Sequence, residues 1–255
     1  MKLNSEITAI ITGAASGLGL AVAEALAERD VRVGILDMNE DEGREVAARL
    51  GGSFARCDVS DAVSVSEALS ALRAVHGQER ICVNCAGISP AHRSVSKEGA
   101  HDAALFAKVC GINLIGSFNV ATQSAAGMVG TDATGADGER GVIINTASIA
   151  AWDGQVGQIA YAASKAGVAG LTLPMARDLA RSGVRVMAIA PGIFGTAMVT
   201  SFPQEVQDSL AQHAQFPPRL GKPEEFASLV CHIAENTMLN GEVIRLDAGT
   251  RMPPK

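Results

Sequence analysis

Aromatic and charged side chains are scarce in this 255-residue chain, which has one tyrosine, one tryptophan and 19% Asp, Glu, Lys and Arg. Positive charge is not in excess either: 21 Lys and Arg face 27 acidic residues, for a net charge of −6. A global electrostatic attraction for nucleic acid or an anionic membrane is thereby excluded. With 47% hydrophobic residues, the chain lacks the polarity of a disordered protein. Its 27 Gly and 9 Pro follow no G-X-Y period, which excludes a collagen. The five cysteines, 57, 82, 85, 110 and 231, are odd in number and sit in apolar segments. They read as free thiols in a reducing compartment. Cys82 and Cys85 form a C-x-x-C, but the local text reads as a strand and its exit. Residues three apart on a strand face opposite ways and cannot grip one ion. The five histidines have no metal-ligand spacing, so no metal is expected. The opening MKLNSEIT has no apolar run and reads as neither a secretory signal nor an Arg-rich presequence, so a cytoplasmic location is expected. Two uncharged stretches, 109–131 and 186–204, contain Asn113, Asn119 and Gln123 or Pro191 and Gly192. They read as buried helix and as strand plus loop rather than as membrane spans.

Short apolar runs alternate with helical periods from end to end. Strands are expected at 7–11, 31–36, 53–59, 81–83, 142–145, 184–190 and 242–246. Helices are expected from about 18, at 40–50, from about 65, at about 102–127, 158–181 and 223–235. The Gly/Asp-rich segment 127–141 reads as a mobile surface loop. The helix at 158–181 is nearly uncharged in its first half, as at a subunit interface. Pro174 is expected to kink it or loosen a turn. Segment 192–220, with Met198, Phe202 and Phe216, reads as a lid. There is no repeat, linker or composition break. The expectation is one α/β domain over 1–255, doubly wound around a mostly parallel seven-stranded sheet.

The first strand runs into Gly13, Ser16, Gly17, Leu18 and Gly19, and then a helix. Glycines let the backbone approach a pyrophosphate, and the helix start faces its charge. Asp37 closes the second strand about 20 residues on, where a carboxylate accepts hydrogen bonds from an adenosine ribose. No Arg or Lys adjoins it to hold a 2′-phosphate, so NAD is favoured over NADP. Tyr161, the sole tyrosine, and Lys165 lie four apart and share a helix face. The ammonium is expected to favour phenolate at Tyr161. Ser148, the stretch Asn84, Cys85, Ala86 and Gly87, and the stretch Pro191, Gly192, Phe194 and Thr196 all leave strands at one carboxyl edge, where ligands bind in such sheets.

As a set, TGAASGLG, Asp58-Val59, NCAG, Asn113, Ser148, Tyr161-x-x-x-Lys165 and Pro191-Gly192 resemble the short-chain dehydrogenase/reductase family over the whole chain. The resemblance implies a Rossmann domain with a small substrate lid. It further implies that Ser16 and Leu18 meet the pyrophosphate, Asp37 the adenosine ribose and Asp58 and Val59 the adenine. Cys85 and Gly87 would lie near the second ribose, and Phe194 and Thr196 at the nicotinamide. Asn113 would hold a water in a proton relay, Ser148 orient the substrate oxygen, Tyr161 act as acid/base, and Lys165 fix the ribose and tune Tyr161. Longer stretches, such as INTASIAAWDGQVGQIAYAASKAG, resemble members that interconvert (S)-3-hydroxyacyl-CoA and 3-oxoacyl-CoA as homotetramers, which points to an acyl-CoA thioester substrate with Gln155 beside the acyl group. Rival readings are a hydroxysteroid or other secondary-alcohol dehydrogenase and a non-catalytic dinucleotide-binding scaffold. Arg93, Lys97 and Lys108 read as solvated surface charge.

Overall fold

The computed structural model describes residues 1–97, 99–196, 199 and 203–254. Its strands are short, the five inner ones apolar and buried on both faces as a covered parallel sheet requires, the two edge ones half-buried. They are β1 (Thr8–Thr12), β2 (Arg32–Asp37), β3 (Ser53–Arg56), β4 (Ile81–Asn84), β7 (Gly141–Thr146), β8 (Val184–Pro191) and β9 (Val243–Leu246). A small hairpin, β5 (Val95–Ser96) with β6 (Gly99–Ala100), stands apart in the excursion after β4. The seven-stranded sheet has the order β3-β2-β1-β4-β7-β8-β9, and every pair in it is parallel. The order reverses between β1 and β4, and ligands of doubly wound sheets lie at the carboxyl ends around such a point.

Helices cover both faces. Ala9, Ile11, Ile35, Val83 and Ile144 pack toward α1 (Gly17–Ala27), α2 (Glu40–Leu50) and α9 (Pro223–Glu235). Their strand neighbours Ile10, Leu36, Cys82 and Ile143 pack the other way, toward α3 (Ala62–His76), α5 (Ser117–Val129) and α7 (Ile159–Leu179). The two-residue alternation of a strand thus feeds two cores at once. Each fully buried Ile or Leu contributes roughly 1.5–3 kcal/mol. Cys82 joins one core and Cys85 packs against the other, so they face apart as expected, and all five cysteines are free.

The helix expected at about 102–127 is one run in three parts: α4 (Ala103–Cys110), a wide π turn at Gly111–Gly116, and α5. Val109, Val120, Ala121 and Met128 bury one side of it, while Ile115 and Phe118 stay exposed on the other. The segment 127–141 lies on the surface, with 132–137 exposed, and its ends are tied by hydrogen bonds. Arg140 donates to Thr131 O and Ser182 O, Arg80 donates to Asp132 O, and the buried Arg185 grips Glu139 at 2.8 Å. Pro174 does not interrupt α7, which continues to Leu179. Pro174 itself is on the exposed side of the helix. Within the expected lid, α8 (Gln204–Ala211) lies on the surface with no buried residue. Phe216 is 82% exposed, and Met198 and Phe202 lie outside the described residues.

Candidate active site

The caps of the helices distinguish α1 from its neighbours. Asn39 caps α2 by accepting from Glu42 N, and Asp61 caps α3 by accepting from Val63 N. Ser16, at the same position on α1, makes no capping hydrogen bond, and the first turn of α1 holds no acid. The start of α1 is therefore an unneutralised positive helix end, suited to a phosphate. Gly13 shapes the approach: its φ is +64°, and a Cβ there would meet the Ala86 backbone at 2.8 Å. Gly17 and Leu18 begin α1, and Gly19 is buried against the turn. Thr12 Oγ1 accepts from both Cys85 N and Ala86 N at 3.1 Å, which clamps the β4 exit to the turn. Asp37 ends β2 and accepts from Ala15 N and Asn39 N, each at 3.0 Å. Its carboxylate thus stands beside the glycine turn. Asp58 Oδ1 accepts from Ser60, and Val59 O accepts from Asn119 at 3.0 Å, so these two form a braced corner beyond β3.

A second cluster lies at the carboxyl edge of β7. Ser148 is buried, accepts from Ala150 N at 3.1 Å and sits beside the Tyr161 phenol, whose charged form it favours. Lys165 is buried beneath, with its Nζ 5.8 Å from the Tyr161 ring centre, and donates to Thr146 O at 2.6 Å. Among the described residues no carboxylate pairs with it. Burial pushes this ammonium down to about 8. Burial raises the Tyr161 phenol, and the Ser148 hydrogen bond opposes the rise. The expected lowering of Tyr161 by Lys165 is thus corrected for the protein alone: the ammonium sits against a carbonyl, and the partner that favours phenolate is Ser148. A side chain at Gly87 would press on Asn113 Oδ1 at 3.2 Å and Lys165 Nζ at 3.6 Å, so that glycine keeps the floor open.

The remaining expected residues divide. Asn113 is buried, but its amide is fully engaged: Oδ1 accepts from Ile88 N, and Nδ2 donates to Ile88 O and Ser164 Oγ. The side chain is a brace, and only the main-chain carbonyl, which already accepts from Ser117 Oγ at 2.7 Å, remains for a relay. Asn84 is correctly placed at the β4 end but turned inward, donating to Asn145 Oδ1 at 2.9 Å. The Phe194 ring is buried in the core, edge-on to Phe226, and its backbone bridges to Gly221. Pro191 O accepts from Ile149 N, which holds the Pro191–Gly192 turn next to Ser148, with Thr196 four residues on. Gln155 donates to Pro253 O at 3.1 Å. With Arg93, Val156 and Ile159 it lines an open groove of about 530 Å³. A smaller cavity of about 230 Å³ lies under α8, between Ile193, Leu210, Pro217 and Leu246. Sequence reasoning missed Ser164, which donates to Tyr161 O at 2.7 Å and takes the Asn113 amide, and Thr146. Both are polar side chains inside otherwise apolar buried segments, which is the signal that could have found them.

The open start of α1, the flanking Asp37, and a Ser–Tyr–Lys cluster at the same sheet edge define an oxidoreductase that holds a dinucleotide beside an alcohol or carbonyl group. The chain belongs to the short-chain dehydrogenase family, whose model matches residues 7–207. It is 50% identical over 252 residues to 3-hydroxyacyl-CoA dehydrogenase type-2 of Bos taurus, covering 97% of this chain and 96% of that one. The Homo sapiens protein of the same name is 48% identical over 252 residues, with the same coverage. The crystal structure of 3-hydroxyacyl-CoA dehydrogenase type-2 from Mycobacterium avium superposes with a TM-score of 0.95 at 39% identity, covering 100% of both chains.

Proposed function

We propose that this enzyme interconverts (S)-3-hydroxyacyl-CoA and 3-oxoacyl-CoA with NAD, using Tyr161 as the acid/base. The observation that carries the reaction type is the buried Ser148 beside the Tyr161 phenol, with Lys165 buried beneath the ring. The substrate class rests on the names of the similar proteins. The cofactor choice rests on Asp37, whose carboxylate beside the glycine turn favours ribose hydroxyls and repels a 2′-phosphate.

When bound, the nicotinamide supplies or accepts the hydride. The side chains handle the oxygen and its proton. Ser148 Oγ accepts from Ala150 N through one of its two lone pairs, and its hydroxyl proton, which faces the Tyr161 phenol in the free protein, turns to donate to a bound substrate oxygen. Tyr161, neutral in the free protein because burial raises it, gives its proton to the ketone oxygen in reduction and recovers it in oxidation. Lys165, buried under the Tyr161 ring and held on Thr146 O, is the cation for the cofactor ribose. A homotetramer in the cytoplasm completes the reading: Ile115, Phe118 and Leu173 are exposed on α4–α5 and α7, and apolar surface of this kind favours pairing with another copy. The test is NADH formation from (S)- and (R)-3-hydroxybutyryl-CoA. Turnover of the S isomer with NAD supports the proposal; exclusive turnover of the R isomer, or equal use of NADP, overturns it.

A further inference from the structure

The edge between β4 and β7 holds an arrangement that the family motifs do not cover. The two strands stop pairing at Asn84 and Asn145. The next two amides of the β4 chain, Cys85 N and Ala86 N, turn instead to Thr12 Oγ1. The Thr146 carbonyl, one residue past the last pair, accepts the Lys165 ammonium at 2.6 Å. On the same side the Thr146 hydroxyl donates to Cys85 Sγ at 3.6 Å. Thr146 is buried, and among the described residues its carbonyl is the sole hydrogen-bond acceptor for Lys165.

We infer that Thr146 is a positioning residue for Lys165, its carbonyl fixing the ammonium and its hydroxyl, anchored on the Cys85 sulfur, fixing the carbonyl. This rests on the reading of Lys165 as the group that serves Tyr161 and the cofactor. A buried ammonium without a carboxylate is held only by dipoles, so small changes in their aim alter its charge state. Burial already brings Lys165 down to about 8, which places its loss of charge within an accessible pH range. Burial also raises the Cys85 thiol to about 11, so the sulfur stays a neutral acceptor for the Thr146 hydroxyl.

The experiment compares Thr146→Val, which keeps the shape and removes the hydroxyl, with Thr146→Ser, which keeps the hydroxyl, and with Cys85→Ala. The readouts are the pH profile of kcat/KM for ketone reduction and the thermal midpoint. Thr146→Val should lower kcat/KM about three- to tenfold and move the alkaline limb down by about half a pH unit, because the carbonyl that accepts the ammonium stays but loses the hydroxyl that anchors it. Thr146→Ser should restore both, and Cys85→Ala should reproduce the moved limb. A Thr146→Val profile that matches wild type overturns the inference. So does an activity loss that Thr146→Ser fails to rescue and that follows the thermal midpoint. Tyr161→Phe, run alongside, reports on the site itself. Near-normal activity there overturns the site reading and this inference together, while an inactive Tyr161→Phe with an unmoved Thr146→Val limb overturns the inference alone.

Discussion

Burial drives the Lys165 ammonium from an ordinary 10.5 down to about 8, which corresponds to about 3 kcal/mol against folding at neutral pH. Lys165→Met removes that charge and keeps a side chain of similar length in the same apolar channel. The Thr146 carbonyl then loses its donor, which costs about 1 kcal/mol. The balance is a gain of about 1–2 kcal/mol in stability together with loss of turnover. For a chain of this length, the gain raises the midpoint by about 2–8 °C. The sign follows from proton binding. Between about pH 8 and 10.5 the unfolded lysine keeps its proton while the folded one releases it, so the wild type gains stability as pH rises through that window. Lys165→Met has no such group, and its advantage should be largest at pH 7 and nearly gone at pH 10. Denaturant melts of both proteins at one fixed protein concentration measure this. A variant less stable than wild type at pH 7, or an advantage unchanged between pH 7 and 10, would refute the reasoning.

Three further outcomes follow from the same geometry. Asp37→Ala should narrow the preference for NAD over NADP by at least about tenfold in kcat/KM, since it removes the charge beside the ribose site; an unchanged ratio counts against the role of Asp37. Gly87→Ala puts a methyl against Asn113 Oδ1 and Lys165 Nζ, so activity should fall about tenfold or more with little loss of fold; normal kinetics would show that the floor is not used. Light scattering should report four copies of the 26.2 kDa chain, and a monomer at micromolar concentration would contradict the reading of the exposed Ile115, Phe118 and Leu173.

Much of this was legible in the sequence because the sheet is buried on both faces, so its strands announce themselves as short apolar runs between helical periods. The crevice was legible too: the glycine turn, Asp37, Ser148, Tyr161 and Lys165 lie at strand ends or on one helix face, positions that local spacing specifies. What spacing does not carry is direction across the sheet. Asn84, at the end of β4, Asn113, in the π turn, and Phe194, past β8, were expected in the crevice, yet their side chains turn into braces and core, where Asn145, Ser164 and Phe226 meet them from elements 32–61 residues away in sequence. The bonds that tie the ends of 127–141 were hidden for the same reason, since Arg80 and Arg185 reach it from other strands. The charge state of Tyr161 depends on burial and on Ser148, neither of which a Tyr-x-x-x-Lys pattern states.

The most direct measurement is the reduction of acetoacetyl-CoA by NADH, followed side by side with steroid ketones in the wild type and in Tyr161→Phe. The account predicts a wild-type kcat/KM for acetoacetyl-CoA at least about tenfold above that for any steroid, and a kcat at least about a hundredfold lower in Tyr161→Phe, the range for lost acid/base catalysis. A steroid that matches acetoacetyl-CoA would contradict the substrate claim, and a Tyr161→Phe enzyme within a few-fold of wild type would contradict the mechanism.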